Sequence, residues 1–222
     1  ILTITAENMN QYADRLTVGQ RTLLATYPQT YRIDVYPSHR DAAVPARLAE
    51  CTRYNALHAE LYGGDDGIRG YTGGVPFPIP KSGAEAMWNG RTSLFYYVLE
   101  GQYDDVATFP NGTQSYQKAS IITMVPYNDP SKEVGWGAEN LSGIGAYTLD
   151  EKLDPPRDKG SITLVLEPYD YVINQREAWR YLPGSRRVRR APTVGYDTPS
   201  GPNGLITVDD TLGSNGSMDR FE

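Results

Sequence analysis

Three segments after residue 92 of this chain are apolar on both faces of the strand that each would form. Side chains alternate between the two faces of a strand, and an antiparallel sheet normally leaves one face to water. A sheet built from these segments therefore needs a cover on each face. The segments are SLFYYVLEG at 93–101, ASIITMVPY at 119–127 and SITLVLEPY at 161–169.

Helices are the expected cover for one face of this sheet. For the other face the candidates are a second sheet, a partner protein, a region outside this chain, or an apolar ligand in a curled half-barrel. Ordinary protein core is the simpler explanation, because apolar side chains are most often buried in a core.

The first half of the chain shows helical periodicity instead. Its pattern predicts a helix over 5–26 that ends before Pro28, a strand over 31–37, and a second helix from Pro45 to Leu61. The segment GGDDGIRGYTGG at 63–74 predicts a loop. Its glycines do not form a phosphate-binding loop, since no apolar strand precedes them and no Gly-Lys-Ser/Thr follows.

Helices early and strands late predict an α+β fold. We expect a curved, mostly antiparallel sheet in a half-open barrel, with helices packed on one side. At 222 residues the chain is long enough to bury a core as one domain. That domain would be helix-rich with one strand over 1–90, and mainly strands and loops over 91–222.

A proline-rich segment leads into a third predicted helix. In 75–80 an apolar residue alternates with proline, which predicts extended backbone at a sheet edge or in a linker. Ser82 stands three residues before Glu85, the capping-box spacing, so a helix is predicted to begin there. A rigid lead-in to a short helix is the simplest interpretation of this segment.

The wider segment GGVPFPIPKSGAEAMWNGR at 73–91 resembles the signature of the bacterial domain-of-unknown-function 1329 family. ITAENMNQYADRLTVGQRTLL and YRIDVYPSHR resemble its upstream blocks, and WRYLPGSRRVRRAPTVGYD, GLITVDD and SNGSMDRFE resemble its downstream blocks. Gly90 departs from the family pattern, which usually has a histidine there. No role of that histidine is therefore transferred to this chain.

The resemblance implies a periplasmic protein with a fold similar to the lipoprotein carriers LolA and LolB. Members of the family are often encoded beside exporters of the RND type and an outer-membrane partner. They begin before Ile1 with a signal peptide and continue past Glu222, so this chain is expected to be a fragment.

An arginine-rich hairpin is predicted over Trp179–Arg190, which we call the arginine hairpin. If Gly184–Ser185 forms the turn, Arg180 opposes Arg189; if Pro183–Gly184 forms it, Arg180 opposes Arg187. Either register places like charges opposite each other, which destabilises a sheet unless an anion lies nearby. The candidates for that anion are an anionic head group, an acidic partner surface, and the chain's own carboxylates near Asp150, Glu151 and Asp154.

Charge and motif content exclude several functions. The net charge of −6 argues against a nucleic-acid-binding protein. With two histidines and no catalytic or metal-binding motif, the sequence predicts neither an enzyme, nor a metal site, nor a cofactor. The single Cys51 excludes an internal disulfide. No apolar run is long enough to predict a transmembrane segment.

We therefore expect periplasmic binding or shuttling of a lipid-like molecule in support of an envelope exporter. Arg187 and Arg189 are the candidates for a polar rim or partner contact. The alternative is a non-enzymatic accessory subunit that docks on an exporter or outer-membrane partner through the arginine hairpin and the proline-rich edge. The candidate ligand-binding wall consists of Leu94, Tyr96, Val98, Ile122, Met124, Trp179 and Tyr181.

Overall fold

The computed structural model describes residues 1–39, 43–191, 197–201, 204–208 and 210. The chain divides into two compact units, Ile1–Ala43 and Val44–Glu222. In the first unit β1 (Leu2–Ile4) pairs antiparallel with β2 (Ile33–Val35), and the segment between them holds a 3-10 turn and helix α1 (Val18–Thr26).

The single helix predicted over 5–26 is wrong, because a new helix starts inside that range. Leu16 and Thr17 are extended, and a 3-10 turn over Met9–Arg15 precedes them. The Thr17 hydroxyl accepts a hydrogen bond from the Gln20 N–H at 3.2 Å, and the Gln20 side chain accepts one from the Thr17 N–H at 2.9 Å. This reciprocal cap satisfies two donors that a continuous helix would have used internally.

The second unit holds the other helices and the main sheet. Its first elements are α2 (Ala46–His58), β3 (Glu60–Tyr62), β4 (Gly67–Arg69) and α3 (Gly83–Arg91). The strands that follow are β5 (Val98–Thr108), β6 (Gln114–Met124), β7 (Ile144–Asp154), β8 (Ile162–Pro168), β9 (Glu177–Leu182) and β10 (Arg187–Arg190). The short strands β11 (Pro199–Ser200) and β12 (Ile206–Thr207) pair with each other.

Among the described residues, β5 to β10 form one antiparallel sheet in the order β10-β9-β8-β7-β6-β5. Each strand pairs with its neighbour in sequence, and the sheet does not close, since β5 and β10 are its two edges. The predicted α+β class with an unclosed antiparallel sheet is confirmed.

Several predicted element boundaries were wrong. Residues 93–97 are not in a strand, and β5 begins only at Val98. Strand β7 was not predicted at all, because its segment YTLDEKLD at 147–154 mixes charged and apolar residues without regular alternation. The loop predicted over 63–74 contains β4, which pairs with β3 in a short hairpin.

The main buried core lies at one end of the sheet. Trp88 of α3 is fully buried there and donates its indole N–H to the Asp65 carbonyl at 2.8 Å. Val125, just after β6, belongs to this core, and Ala146 of β7 packs against it. The core residues are Ile68, Tyr71, Phe77, Trp88, Val125, Tyr127 and Tyr169.

Two asparagines hold the proline-rich segment in place. Asn89 of α3 accepts from the Phe77 N–H at 2.9 Å and donates to the Phe77 carbonyl at 2.7 Å. Buried Asn55 of α2 donates to the carbonyls of Gly73 and Val75 and accepts from the Thr72 N–H. These side chains supply hydrogen bonds that a segment interrupted by prolines does not obtain from a neighbouring strand.

The start of α3 agrees with the sequence prediction in part. Ser82 is the N-cap, and its hydroxyl accepts from the Glu85 N–H at 3.1 Å. The Glu85 carboxylate accepts from the N–H of Lys81, one residue earlier than a capping box requires.

Candidate functional site

One face of the six-stranded sheet carries a contiguous set of apolar side chains, which we call the apolar face. Residues that lie directly opposite each other in adjacent strands share a face. One row across the sheet runs through Ile122, Leu149, Leu164 and Trp179, and parallel rows flank it on both sides. The apolar face consists of Val98, Ile122, Met124, Tyr147, Leu149, Ile162, Leu164, Leu166, Trp179, Tyr181 and Val188.

None of these apolar-face side chains is buried by the described residues. Ile122 is 41% exposed, Leu149 39%, Val98 51% and Val188 66%, and the others are half-buried. Large contiguous patches of exposed apolar surface are typical of interaction sites. The cover that the sequence required for the second face is absent from the described part of the chain.

The other face of the sheet, which we call the opposite face, carries many small and polar residues, with apolar side chains such as Ile121 and Val165 among them. Ala107, Ala119, Thr123 and Ala178 are buried on it. Thr123 and Thr148 lie side by side with their hydroxyls 3.2 Å apart. The core meets the sheet on this face, so its small side chains allow close packing there.

A charged triad also occupies the opposite face. The Asp150 carboxylate lies 2.7 Å from the Lys152 ammonium and accepts the hydroxyl of Tyr103. Burial, and after it the hydrogen bond to Asp150, raises the pKa of Tyr103. The triad satisfies its own charges, and we assign it to holding β5, β6 and β7 in register.

The structure brings five of the seven predicted wall residues together. Val98, Ile122, Met124, Trp179 and Tyr181 all lie on the apolar face. Leu94 and Tyr96 do not, because they precede β5 and pack against the core.

The buried Asn128 side chain donates to the carbonyls of both Leu94 and Tyr96, which holds that segment against the core. The apolar face also contains six residues that were not among the predicted wall residues, namely Tyr147, Leu149, Ile162, Leu164, Leu166 and Val188. The alternation within 161–169 was the signal available for three of them.

The arginine hairpin adopts one of the two predicted registers, with Val188 opposite Tyr181 and Arg189 opposite Arg180. Arg187 and Arg189 therefore lie on the opposite face, across the sheet from the predicted wall. Arg190 is the arginine on the apolar face, where it pairs with Glu177 and lies 6.0 Å from the Trp179 ring.

The carboxylates predicted to neutralise the hairpin do not reach it. Asp150 is bound by Lys152 and Tyr103, as described above. The described residues place an ion pair only on Arg190 among the hairpin arginines, and Glu177 provides it.

A second cluster joins α3 to the end of the sheet. Arg176 holds the Glu167 carboxylate in a two-point contact at 2.6 and 2.9 Å, and Arg91 donates to the same carboxylate at 3.2 Å. Tyr171 donates to Glu167 at 2.6 Å and accepts from Arg91 at 2.7 Å. All of these groups are largely buried, which is consistent with a structural role in docking α3.

A shallow polar cavity of about 530 Å³ lies elsewhere, between α2 and the segment 131–140. Its wall includes Tyr54, Lys132 and Trp136, and no predicted wall residue lines it. In the part of the chain that the structure describes, no group of side chains is arranged to hold a metal ion. None of the described helices has the length and apolar character needed to cross a bilayer.

The sequence of residues 3–222 matches a family described as proteins of unknown function, DUF1329. This chain belongs to the DUF1329 family. The resemblance inferred from the segment at 73–91 is thereby confirmed. The hydrogen bonds of Asn89 to the backbone of Phe77 give part of that signature a structural explanation. The DUF1329 match extends over both compact units.

One curated relative and two solved structures show how far the similarity extends. An uncharacterized protein of Pseudomonas aeruginosa is 36% identical over 223 residues, which is 100% of this chain and 48% of the relative. The chain thus spans about half the length of the curated relative that it matches.

The two solved structures are distant. A domain from Vibrio parahaemolyticus, described as an outer membrane lipoprotein-sorting protein, is 18% identical, with a TM-score of 0.33 over 51% of this chain and 39% of that domain. A DUF1329 family protein from Desulfovibrio piger is 15% identical, with a TM-score of 0.34 over 52% of this chain and 43% of that one.

Proposed function

We propose that this DUF1329 protein binds a lipid-like hydrophobic molecule on the apolar face of its sheet. The contiguous, half-exposed row Ile122, Leu149, Leu164 and Trp179 is the observation that carries the proposal. Binding would take place in the periplasm, in support of an envelope exporter of the RND type, as the family resemblance implies. The protein would act without catalysis and without a cofactor.

The physical basis is the removal of apolar surface from water. Each Å² of apolar surface that becomes buried contributes about 25 cal/mol. A flexible acyl chain or a sterol can follow a row of side chains that crosses several strands. Trp179 and Tyr181 add large aromatic surfaces at the hairpin end of that row.

Mass spectrometry of organic extracts from the gently purified full-length protein tests this proposal, together with uptake of fluorescent fatty acids and sterols. We expect a co-purified lipid and saturable probe uptake. The variants Ile122→Ser and Leu149→Ser should each weaken uptake about fivefold or more, because they remove apolar contact area from the centre of the face.

Val106→Ser provides the matched control for these variants. Val106 of β5 is 55% exposed on the apolar side of the sheet. It lies in the part of the β5–β6 hairpin that extends beyond β7, beside Asp104 and opposite Tyr116. It should leave uptake unchanged. A clean extract with no probe uptake by the wild-type protein would overturn the proposal.

A second candidate function is docking on a protein partner, such as an RND exporter or an outer-membrane protein. It is favoured by the openness of the apolar face, which forms an exposed patch and not an enclosed hollow. The rest of a longer chain is a third candidate for the cover, since this chain spans 48% of the length of its curated relative.

The same variants separate the two functions. Under docking, Ile122→Ser abolishes co-purification of a partner, while the wild-type protein takes up no lipid probe. If the rest of the chain is the cover, the apolar face in the full-length protein is protected from hydrogen exchange and takes up neither lipid nor partner.

A further inference from the structure

We infer that Arg180, Arg187 and Arg189 form a binding site for the phosphate group of an anionic lipid. The inference rests on the proposed lipid-binding function and specifies the chemical class of the ligand. It starts from the register of the arginine hairpin, in which Arg180 lies directly opposite Arg189.

These three arginines share one face and one small area. Arg187 precedes Arg189 by two residues on β10, so both side chains project from the opposite face, as does Arg180. All three are exposed. Directly opposed like charges destabilise a sheet, and three guanidinium groups in one place increase that cost.

No described carboxylate compensates these charges. The row that contains Arg180 and Arg189 continues through Thr163 to Asp150 on β7. Two strand spacings separate Asp150 from Arg180, about 10 Å in all, and Asp150 is already bound by Lys152 and Tyr103. The carboxylate at the start of β9, Glu177, projects from the apolar face and binds Arg190.

Arginine suits a phosphate group particularly well. Its planar guanidinium donates two parallel hydrogen bonds to a pair of phosphate oxygens, and two or three arginines can hold one phosphate from different sides. A single phosphate would also offset the repulsion between Arg180 and Arg189.

The position of the arginines connects them to the apolar face. β10 is an edge strand, so its outer edge is the line along which the two faces of the sheet meet. Val188 and Tyr181 lie on the apolar face directly behind the arginines. A lipid whose chains cover Tyr181 and Val188 can therefore pass around this edge and place its phosphate among the three arginines.

Vesicle binding of the full-length protein tests the inference. We compare vesicles of phosphatidylcholine with vesicles of phosphatidylcholine and phosphatidylglycerol at fixed ionic strength. The wild-type protein should bind the phosphatidylglycerol vesicles about tenfold more tightly, and salt should weaken the preference. The double variant Arg180→Gln/Arg189→Gln should lose most of it, while Arg180→Lys/Arg189→Lys should keep part, because it retains charge without the planar fork.

Arg53→Gln, in combination with Arg21→Gln, is the control for this double variant. Both residues are exposed on helices and form no ion pair with a described residue, so the control makes the same change in net charge elsewhere. An equal loss of preference in the control would assign the effect to net charge and overturn the inference. So would an unchanged preference in Arg180→Gln/Arg189→Gln.

Two further arms complete the test. Inorganic phosphate at matched ionic strength should compete only weakly with the vesicles. If phosphate binds the arginines while the protein shows no preference between the two kinds of vesicle, the ligand is a free anion. That result would overturn the inference that the phosphate belongs to a lipid. Uptake of a neutral sterol probe reports the proposed function separately. It should persist in the arginine variants, and its absence from the wild-type protein would overturn the proposed function whatever the vesicle preference.

Discussion

Leu164 lies directly opposite Trp179 in the β8–β9 ladder, and both side chains remain half-exposed on the apolar face. A pair of this size on two inner strands of a sheet is normally covered. Here no described residue buries either one. The proposed lipid ligand is the cover that this pair lacks.

The segment at 73–91 has a structural role that substitution of Asn89 should reveal. Asn89→Ala removes both hydrogen bonds to the backbone of Phe77. Because Phe77 is buried, we expect a loss of about 1–3 kcal/mol in the free energy of unfolding, measured by urea denaturation. Probe uptake at 25 °C should stay unchanged, and a selective loss of uptake without loss of stability would instead place this segment in the binding site.

The exposed Asn10 supplies the comparison for that variant. Asn10→Ala should change stability by no more than about 0.5 kcal/mol, since Asn10 is exposed in the 3-10 turn.

Glu167 should be among the most sensitive charged residues in the chain. Glu167→Gln removes the carboxylate that lies between the largely buried guanidinium groups of Arg91 and Arg176. Two buried positive charges close together should lower the free energy of unfolding by about 3 kcal/mol.

Glu100→Gln on β5 is the matched change at an exposed site, and it should be almost neutral. Equal effects of the two substitutions in thermal or urea unfolding would contradict the structural role of the cluster.

Tyr171 should make stability depend on alkaline pH. Burial raises its pKa to about 12, with Arg91 opposing that increase and Glu167 adding to it. In the unfolded chain the tyrosine pKa is about 10. The folded state therefore holds this proton more tightly, so the contribution is fully present below pH 10 and is lost as the pH rises to about 12.

The measurement compares unfolding of the wild-type protein and Tyr171→Phe across that range. The stability of the wild-type protein should fall more steeply, by roughly 2 kcal/mol over the interval. Parallel curves would show that Tyr171 titrates normally.

The sequence predicted local features more reliably than their assembly. The cap at Ser82 and the placement of one hairpin arginine opposite another follow from short-range patterns, and both are present in the structure. The sequence left open which of two registers the hairpin adopts. Strand β7 escaped prediction because Glu151 lies on the apolar face, opposite Ile162, and interrupts the apolar alternation that Tyr147 and Leu149 begin. The pairing of β7 with its neighbours depends on strands distant in sequence.

The candidate site was predicted in part for a similar physical reason. Val98, Ile122 and Met124 could be grouped because alternation places them on one face once β5 pairs with β6. Leu94 and Tyr96 continue the same alternation in sequence, yet Asn128 binds their carbonyls and withdraws them to the core. A side-chain contact of this kind, between residues distant in sequence, overrides the local pattern.

The most direct test of the central claim uses Trp179 as a reporter of lipid contact. The chain has three tryptophans, so a variant with Trp88 and Trp136 replaced by phenylalanine reports on Trp179 alone, provided that its circular dichroism matches the wild type. A fatty acid brominated along its chain should quench this fluorescence saturably, and Leu149→Ser should reduce the quenching. Fluorescence that the brominated fatty acid leaves unchanged, in a folded protein, would contradict lipid binding on the apolar face.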